Sequence, residues 1–420
     1  MQQHYHIWTI GCQMNKAESE RLGSLFEEHG YRSTATVEKA DIVVLNSCVV
    51  RQSAESRIVN KLHLLKPLKE ANPGITVAVT GCLVNSNISQ LRKQFPHIDH
   101  FFKPGEQPDW LGKPEQTPTL PQHPPPNVYV TIVQGCNNYC SYCIVPYRRG
   151  HETSRPANEI ISEVRELVNR GAREITLLGQ NVDSYGKDLP EKPDLADLLM
   201  QLNGTEGLAR LRFLTNHPKD MSKKLIDTIA HLDKVCRQMN LPVQSGNNDI
   251  LQAMKRGYTV EHYRRLIAGI REKIPGVALG TDVIVGFPSE SEAQFQNTLD
   301  LLAELRLDTV HVASYSPRPG TVAARELKDN IPVAEKKRRL HRIEQLQEGI
   351  ATEINSRLLG ETIEILVEGR NKGKWQGRTG SDKMVFFSND ANHRGQLVNI
   401  RVDKTSPWSL QGKIEIKKTD

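Results

Sequence analysis

The sequence lacks any apolar run approaching the length of a membrane span, which excludes a helix crossing a bilayer. Its start, from Met1 to Cys12, has neither a basic n-region nor an apolar h-region, so no secretory leader is expected. A disulfide framework is missing too. The seven cysteines are an odd number, and six of them sit in motif contexts, which predicts a reducing cytoplasm. No residue offers itself as a general acid or base, and no catalytic side chain is named from the sequence. What remains is ordinary for a globular chain: 38% hydrophobic and 25% charged over 420 residues, enough for two or three domains with substantial cores. The net charge of +6 and pI near 8.8 suit a polyanionic partner without demanding one.

Against this background one stretch stands out. Val128–Val133 is rich in β-branched and aromatic residues and reads as a strand; it leads into Gly135-Cys136-Asn137-Asn138-Tyr139-Cys140-Ser141-Tyr142-Cys143. Three thiolates within eight residues, on a loop after a strand, can grip one face of an iron–sulfur cube. Soft thiolates also select zinc or Cu(I). Three cysteines would leave one iron of a four-iron cluster open to a substrate or cofactor. Zinc with His151 as fourth ligand is the rival, although structural zinc sites usually pair two Cys-x2-Cys units or add a distant His pair. Reduced cysteines without a ligand role are the third possibility.

The Cys-x3-Cys-x-aromatic-Cys pattern, with Tyr142 as the aromatic, resembles the signature of radical S-adenosylmethionine (SAM) enzymes. The longer stretch from Gly135 to Pro156 is similar to the methylthiotransferase branch of that family. The resemblance implies a four-iron cluster on Cys136, Cys140 and Cys143. It also implies SAM chelated at the open iron and cleaved by one electron to a carbon radical, which the protein positions and shields.

Residues 1–111 alternate strand and helix. His6–Ile10 leads into Gly11-Cys12, Asp41–Ser47 into Cys48, and Ile75–Gly81 into Cys82. The cysteines are 36 and 34 residues apart, each interval long enough for a strand and a crossover helix, and Leu22, Leu25 and Phe26 mark one helix face. Repeated β-α-β units give a Rossmann-like parallel sheet whose strand carboxyl ends share an edge. Three cysteines would then converge there. Buried core thiols are the alternative, but a core role does not explain why each stands just past a strand end at near-constant spacing. A second cluster with three protein ligands is expected. The resemblance extends here through Gly11–Asn15, Asn46–Cys48 and Gly81-Cys82, and implies an auxiliary four-iron cluster that supplies or carries the inserted sulfur.

Residues 112–127 are Pro-rich, nearly devoid of apolar residues, and read as a semi-rigid linker; an SH3-ligand role is the weaker reading. From 128 to 358 strands are expected at Arg173–Leu178, Arg210–Leu214, Val235–Val243, Val277–Val285 and Asp308–Tyr315, with helices between, for instance over Asn158–Arg170 and Glu292–Leu305. With the strand before Cys136 this makes a partial (β/α)6 barrel whose site lies at the strand carboxyl ends. The resemblance implies SAM contacts from Tyr142, Ser154, Arg155, Gly179, Gln180, Gln244, Ser245, Ile284 and Gly286. Read without the family, these are polar loops. His217-Pro218 and Tyr315–Thr321 match the branch but suggest only a substrate mouth, and Cys236 reads as a packed thiol.

A long helix is expected over Ala334–Leu358, with Lys336, Lys337, Arg338, Arg339 and Arg342 forming a solvated basic face. From 359 to 420 the pattern changes to short strands, Thr362–Val367, Trp375–Thr379, Lys383–Phe387, Leu397–Val402 and Lys413–Ile416, which suggest a small OB-like barrel. Trp375, Arg378, Lys383 and Phe386 interleave aromatic and basic groups as single-stranded RNA binding requires, although Phe386 or Phe387 should fill the core. This segment resembles the TRAM domain, an RNA-binding module of tRNA-modifying enzymes.

Together the resemblance covers essentially the whole α/β chain. It implies a methylthiotransferase acting on C2 of the isopentenylated adenosine 3′ of the anticodon, with two 4Fe-4S clusters, and with SAM as radical source and methyl donor. The implied partners are a tRNA anticodon stem-loop and an electron donor such as flavodoxin or ferredoxin; no membrane is involved, and the chain is expected to be a monomer. Siblings acting on threonylcarbamoyl-adenosine or on a ribosomal-protein aspartate share the layout. A non-catalytic RNA-binding protein with structural clusters is the reading from another class.

Overall fold

The computed structural model describes residues 2–49, 52–84, 88–112 and 120–415. Its first unit is a parallel sheet of β1 (His4–Ile10), β2 (Arg32–Ser33), β3 (Ile42–Ser47), β4 (Thr76–Gly81) and β5 (His100–Phe101), in the order β2-β1-β3-β4-β5. Helices α1 (Gln13–Glu28), α2 (Gln52–Ala71) and α3 (Ile88–Gln94) are the crossovers. β3 is buried throughout because both its faces are covered. Val43 and Leu45 pack with Ile58, Leu62 and Leu65 of α2, while Ile42 and Val44 pack with Leu22 and Phe26 of α1. The edge strands β2 and β5 are two residues each, too short to show a period in the sequence. Register decides what this sheet presents. Ile10 pairs with Ser47 and Ser47 with Gly81, so three strands end level and the residues after them share one edge.

The second unit begins with β6 (Asn127–Thr131). A short antiparallel ladder of β7 (Val133–Gln134) and β8 (Thr153–Ser154) then brackets the cysteine run and α4 (Val145–Arg149). β9 (Glu174–Leu178), β10 (Arg210–Phe213), β11 (Gln238–Asn240), β12 (Ala278–Val285) and β13 (Thr309–Ser314) follow. With β6 they form two parallel ladders, β10-β9-β6 and β11-β12-β13, joined by a parallel bridge between Leu211 and Val235. Helices α5 (Ala157–Asn169), α6 (Leu195–Asn203), α7 (Lys223–His231), α8 (Asn248–Ala253), α9 (Val260–Lys273) and α10 (Glu292–Leu305) turn apolar residues onto them. The expected strand over Val235–Val243 shrinks to three residues. Pro242 has no N–H for a ladder, and Gln244 bends the chain with φ +70. The edge strand β6 is covered by α1, with Thr131 Oγ1 donating to Met14 Sδ at 3.2 Å.

Of the Pro-rich segment, 113–119 lies outside the described residues. The rest is tied down: Arg170 donates to the Leu120 and Pro121 carbonyls, and the Pro126 carbonyl accepts from the Arg173 and Glu174 N–H groups.

After α11 (Val322–Glu326), α12 (Val333–Ser356) departs from its expected solvated face. Lys336 and Arg339 are buried, paired with Asp329 at 2.6 Å and Glu290 at 2.7 Å, while Arg338 and Arg342 bridge to Glu292. The chain ends in a closed barrel of β14 (Thr362–Asn371), β15 (Lys374–Thr379), β16 (Met384–Phe387), β17 (Leu397–Thr405) and β18 (Leu410–Ile414), ordered β14-β15-β16-β18-β17. The last strand starts earlier than expected, and Ile416 lies outside the described residues.

The small barrel docks at the amino-terminal ends of the large barrel's strands. Arg210 donates to the Arg378 carbonyl and Glu364, Arg212 to Glu174 and the Thr379 carbonyl, and Lys383 pairs with Asp308 at 3.2 Å. Three residues expected as RNA contacts have partners within the chain. Trp375 fills the small barrel's core with its Nε1 on the Asn389 carbonyl, Arg378 pairs with Glu368 and Asp382, and Lys383 is held by Asp308. Phe387 fills the core as well, and Phe386 stays half-buried.

Candidate active site

The cysteine run is shaped by its backbone. Gly135 sits at φ +76, where a Cβ would collide with the His151 carbonyl, and its N–H donates to Gln180 Oε1 at 2.6 Å. Ser141 anchors the loop to the end of α8, through its N–H to the Met254 carbonyl at 3.0 Å and its Oγ to the Ala253 carbonyl at 2.7 Å. Cys140 is buried, Cys136 and Cys143 half-buried. Burial pushes the Cys136 thiol up, and burial followed by the neighbouring Cys140 pushes Cys143 up to about 12. Opposing that cost is Arg256, itself buried. Its Nη1 donates to Cys140 Sγ at 3.3 Å, its Nε to the Tyr258 hydroxyl at 2.9 Å and its Nη2 to the Pro242 carbonyl at 2.8 Å.

Cys12, Cys48 and Cys82 follow the three level strand ends. Cys12 caps α1, with its N–H on Asn15 Oδ1 at 3.3 Å. Asn15 in turn donates to Asn46 at 2.8 Å and to the Ser47 carbonyl at 3.1 Å, which locks the first two strand ends together. Gly81, at φ +89, lies against the Ser47 backbone, and the Cys82 N–H donates to the Ser47 carbonyl at 2.7 Å. A Cβ on Gly11 would come within 2.9 Å of the Cys48 Cβ. A hydrogen bond from Cys48, then Asn15 and Arg149 against the effect of burial, lowers Cys12 to about 6. Burial raises Cys82 despite Arg149, whose Nε lies 3.3 Å from its sulfur.

Each trio offers three thiols, the donor set of a cube that takes one thiolate per iron. Among the described residues no three His, Cys, Asp or Glu side chains group as ligands of a single metal ion. His151, the fourth ligand of the zinc reading, has its Nδ1 facing Asn137 Oδ1 at 3.0 Å. Each trio also carries an arginine N–H aimed at a sulfur, as thiolate ligands favour.

Polar atoms gather at the neighbouring strand ends. Gln244 is strained at φ +70, and its buried Oε1 has no partner; its carbonyl accepts from the Ile284 N–H at 3.0 Å. Ser245 is buried with its Oγ on the Asn247 N–H. Tyr142 packs against the small apolar cluster that includes Phe287 and Tyr315, and Gly286 donates to Glu290 at 2.6 Å. Gly179 lies so close to Val133 that packing alone explains the glycine. Ser154 accepts from the Gly186 N–H at 2.9 Å. Arg155 is engaged elsewhere, with Glu163 at 2.6 Å and the Thr131 carbonyl at 2.9 Å.

Several groups escaped the sequence reading. Arg256 lies in the segment Met254–Thr259, Arg149 in the stretch after Cys143, and neither showed that its side chain would reach a sulfur. Asp183 accepts from Asn216 Nδ2 and the His217 N–H. Burial raises it to about 7, and burial followed by Arg256 lowers His217 to about 3, leaving that ring neutral. Asn181 Oδ1, Asn216 Oδ1 and His217 Nε2 are buried without partners, and the His217 ring stands 5.8 Å from Tyr258. Unpaired donors and acceptors at strand carboxyl ends suit a polar, hydrogen-bonding ligand such as SAM.

Family models match this layout: the Radical SAM superfamily over residues 130–302, Uncharacterized protein family UPF0004 over 4–103 and the TRAM domain over 356–414. The chain is 56% identical to a tRNA-2-methylthio-N(6)-dimethylallyladenosine synthase of Dehalococcoides mccartyi, with 98% of each chain covered. It is 50% identical to the synthase of that name from Chloroflexus aurantiacus, over 98% of this chain and 91% of the other. In fold it is similar to the radical S-adenosylmethionine methyltransferase TsrM of Kitasatospora setae, with a TM-score of 0.54 at 13% identity, covering 90% and 81% of the two chains. A 4Fe-4S cluster and SAM are the cofactors of the radical SAM superfamily, and full-length identity of this order places the chain among the enzymes that use them: it belongs to the radical-SAM tRNA methylthiotransferases, in the tRNA-2-methylthio-N(6)-dimethylallyladenosine synthase family.

Proposed function

We propose that this chain adds a methylthio group to C2 of the isopentenylated adenosine 3′ of the tRNA anticodon, using two 4Fe-4S clusters, one on each cysteine trio. The observation that carries the reading is the level ending of β1, β3 and β4, which sets Cys12, Cys48 and Cys82 along one edge as a second three-thiol site. When bound, the first cluster with SAM supplies one-electron cleavage to a carbon radical, and the second supplies sulfur. A carbon radical suits a C–H bond that is neither acidic nor electrophilic.

The chain's own residues do the rest. Arg256 holds Cys140 and shields the loop from water together with Tyr142 and Tyr258. The neutral His217, its backbone fixed by Asp183, offers Nε2 to a ligand at the barrel mouth, and Gln244 offers Oε1. Ser245, Gly286 and the Ile284 backbone line the same strand ends. tRNA is the partner; its anticodon loop is already unstacked, which lowers the cost of presenting the base. Phe386 is the RNA contact retained from the small barrel. Electron supply by a flavodoxin or ferredoxin, a monomeric state and a reducing cytoplasm complete the reading. No helix among the described residues is long and apolar enough to cross a membrane.

The test is iron and sulfide per chain after anaerobic reconstitution, in wild type and in Cys136→Ala/Cys140→Ala/Cys143→Ala. About eight irons falling to about four are expected, at four per cube, together with methylthiolated product from isopentenylated tRNA in the wild type alone. About four falling to none would remove the second cluster. Product on unmodified tRNA instead would overturn the substrate.

A further inference from the structure

We propose that Arg149 is a positioning residue that ties the two cysteine trios into one unit, reaching from the radical-site loop to hold the Cys82 sulfur of the other trio. This rests on the two-cluster reading above. Arg149 closes α4, six residues after Cys143, inside the loop bracketed by β7 and β8. Its side chain is only 4% exposed. Each guanidinium nitrogen is engaged: Nη1 and Nη2 meet the two Glu18 oxygens at 2.7 and 3.3 Å, and Nε meets Cys82 Sγ at 3.3 Å. Glu18 stands on α1, the helix that Cys12 caps. The carboxylate that aims Arg149 is therefore carried by one ligand's helix, and the sulfur it touches belongs to another ligand.

A second buried arginine repeats the connection. Arg318, in the loop after β13, donates to Glu55 at 2.6 Å on α2, the helix that follows Cys48. Were Arg149 only a fastener between domains, the pair with Glu18 would suffice. The third contact, to sulfur, needs the rigid planar fork, and a lysine could not serve both partners at once. Hydrogen bonds to ligand sulfur stabilise the more negative state of an iron–sulfur cluster and so raise its reduction potential.

The full chain carrying Cys136→Ala/Cys140→Ala/Cys143→Ala keeps iron on the Cys12, Cys48 and Cys82 trio alone. In that parent, Arg149→Met, Arg149→Lys and Glu18→Gln are compared by iron content, EPR-monitored midpoint potential and thermal melting. Both Arg149 variants are expected to shift the midpoint to more negative potential. Glu18→Gln should lower the melting temperature with a smaller shift in potential. Loss of iron at unchanged melting would support the same role. An unchanged midpoint and EPR signal with iron retained in Arg149→Met would overturn it, as would iron loss that merely accompanies unfolding of the first domain. If Arg149→Met does not fold, Arg149→Lys, which keeps the charge against Glu18, carries the comparison. No iron in the parent itself would instead overturn the two-cluster reading, and this proposal with it.

Discussion

The two cysteine trios reach similar ends by opposite routes. Cys136, Cys140 and Cys143 come from one loop and are held by local turns, among them the Cys143 N–H on the Cys140 carbonyl at 3.0 Å. Cys12, Cys48 and Cys82 come from three loops and are brought to one edge because their strands end in register. Each trio recruits one buried arginine to a sulfur, Arg256 from its own barrel and Arg149 from across the domain boundary. The local trio is thus complete within one domain. The assembled one takes its arginine from its neighbour, so a residue of the other domain touches one of its sulfurs.

Glycine substitutions should separate the two most sharply. Gly135 and Gly81 both precede a cysteine at positive φ with backbone in the way of a Cβ. Alanine costs more than about 1 kcal/mol in conformation alone, and the collisions force the loops to move. Gly135→Ala is expected to lose about half the iron and SAM cleavage with it. Gly81→Ala is expected to lose about half the iron yet keep SAM cleavage, while methylthio product disappears. Equal loss of SAM cleavage in both, measured as 5′-deoxyadenosine formed under reduction, would mean that the trios do not function separately.

An effect confined to the loop trio is expected at Arg256. Arg256→Lys abandons contacts to Cys140, Tyr258 and Pro242 that one ammonium cannot reproduce, at about 3 kcal/mol for a broken buried charge network. Tyr258→Phe removes one hydroxyl donating to the Pro242 and Val243 carbonyls and should cost about 1 kcal/mol. Thermal unfolding with iron content checks both. Iron should leave the loop trio in Arg256→Lys and stay on the Cys12 trio.

What was readable in the chain follows from how local each feature is. The Cys-x3-Cys-x2-Cys run lies within eight residues, so its spacing alone reveals it. The strands before Cys12, Cys48 and Cys82 carry period and composition, but their level ending is a property of pairing, which no single strand encodes. Arg149 and Arg256 could not be found this way, because they act 67 and 116 residues from the sulfurs they touch. Trp375 and Lys383 were ambiguous for a related reason. Aromatic and basic residues alternate on a strand whether they face RNA, a core or a neighbouring domain, and only docking onto Asp308 and the barrel core tells these apart. In α12 the same blindness hid the inward turn of Lys336 and Arg339 toward Asp329 and Glu290.

The finest contrast lies in the thiols of the metal-free protein. Cys12 is solvent-exposed and lowered to about 6, chiefly by its hydrogen bond with Cys48, whereas burial lifts Cys143 to about 12. Because the thiolate is the reactive form, ionisation should order the alkylation rates. One unit above its pKa a thiol is about nine-tenths ionised, so Cys12 is mostly thiolate at pH 7 while Cys143 stays protonated. Iodoacetamide at pH 7, read by peptide mass mapping, should therefore label Cys12 first and Cys143 last. Lowering the pH to 5 takes Cys12 to about one-tenth ionised and should slow its labelling about tenfold. Cys48→Ala removes the largest lowering cause and should move that pH profile up toward the ordinary thiol near 8.5. Equal labelling of both trios, or a Cys12 rate flat between pH 5 and 7, would erase the electrostatic half of the contrast and leave only the difference in how the two sites are assembled.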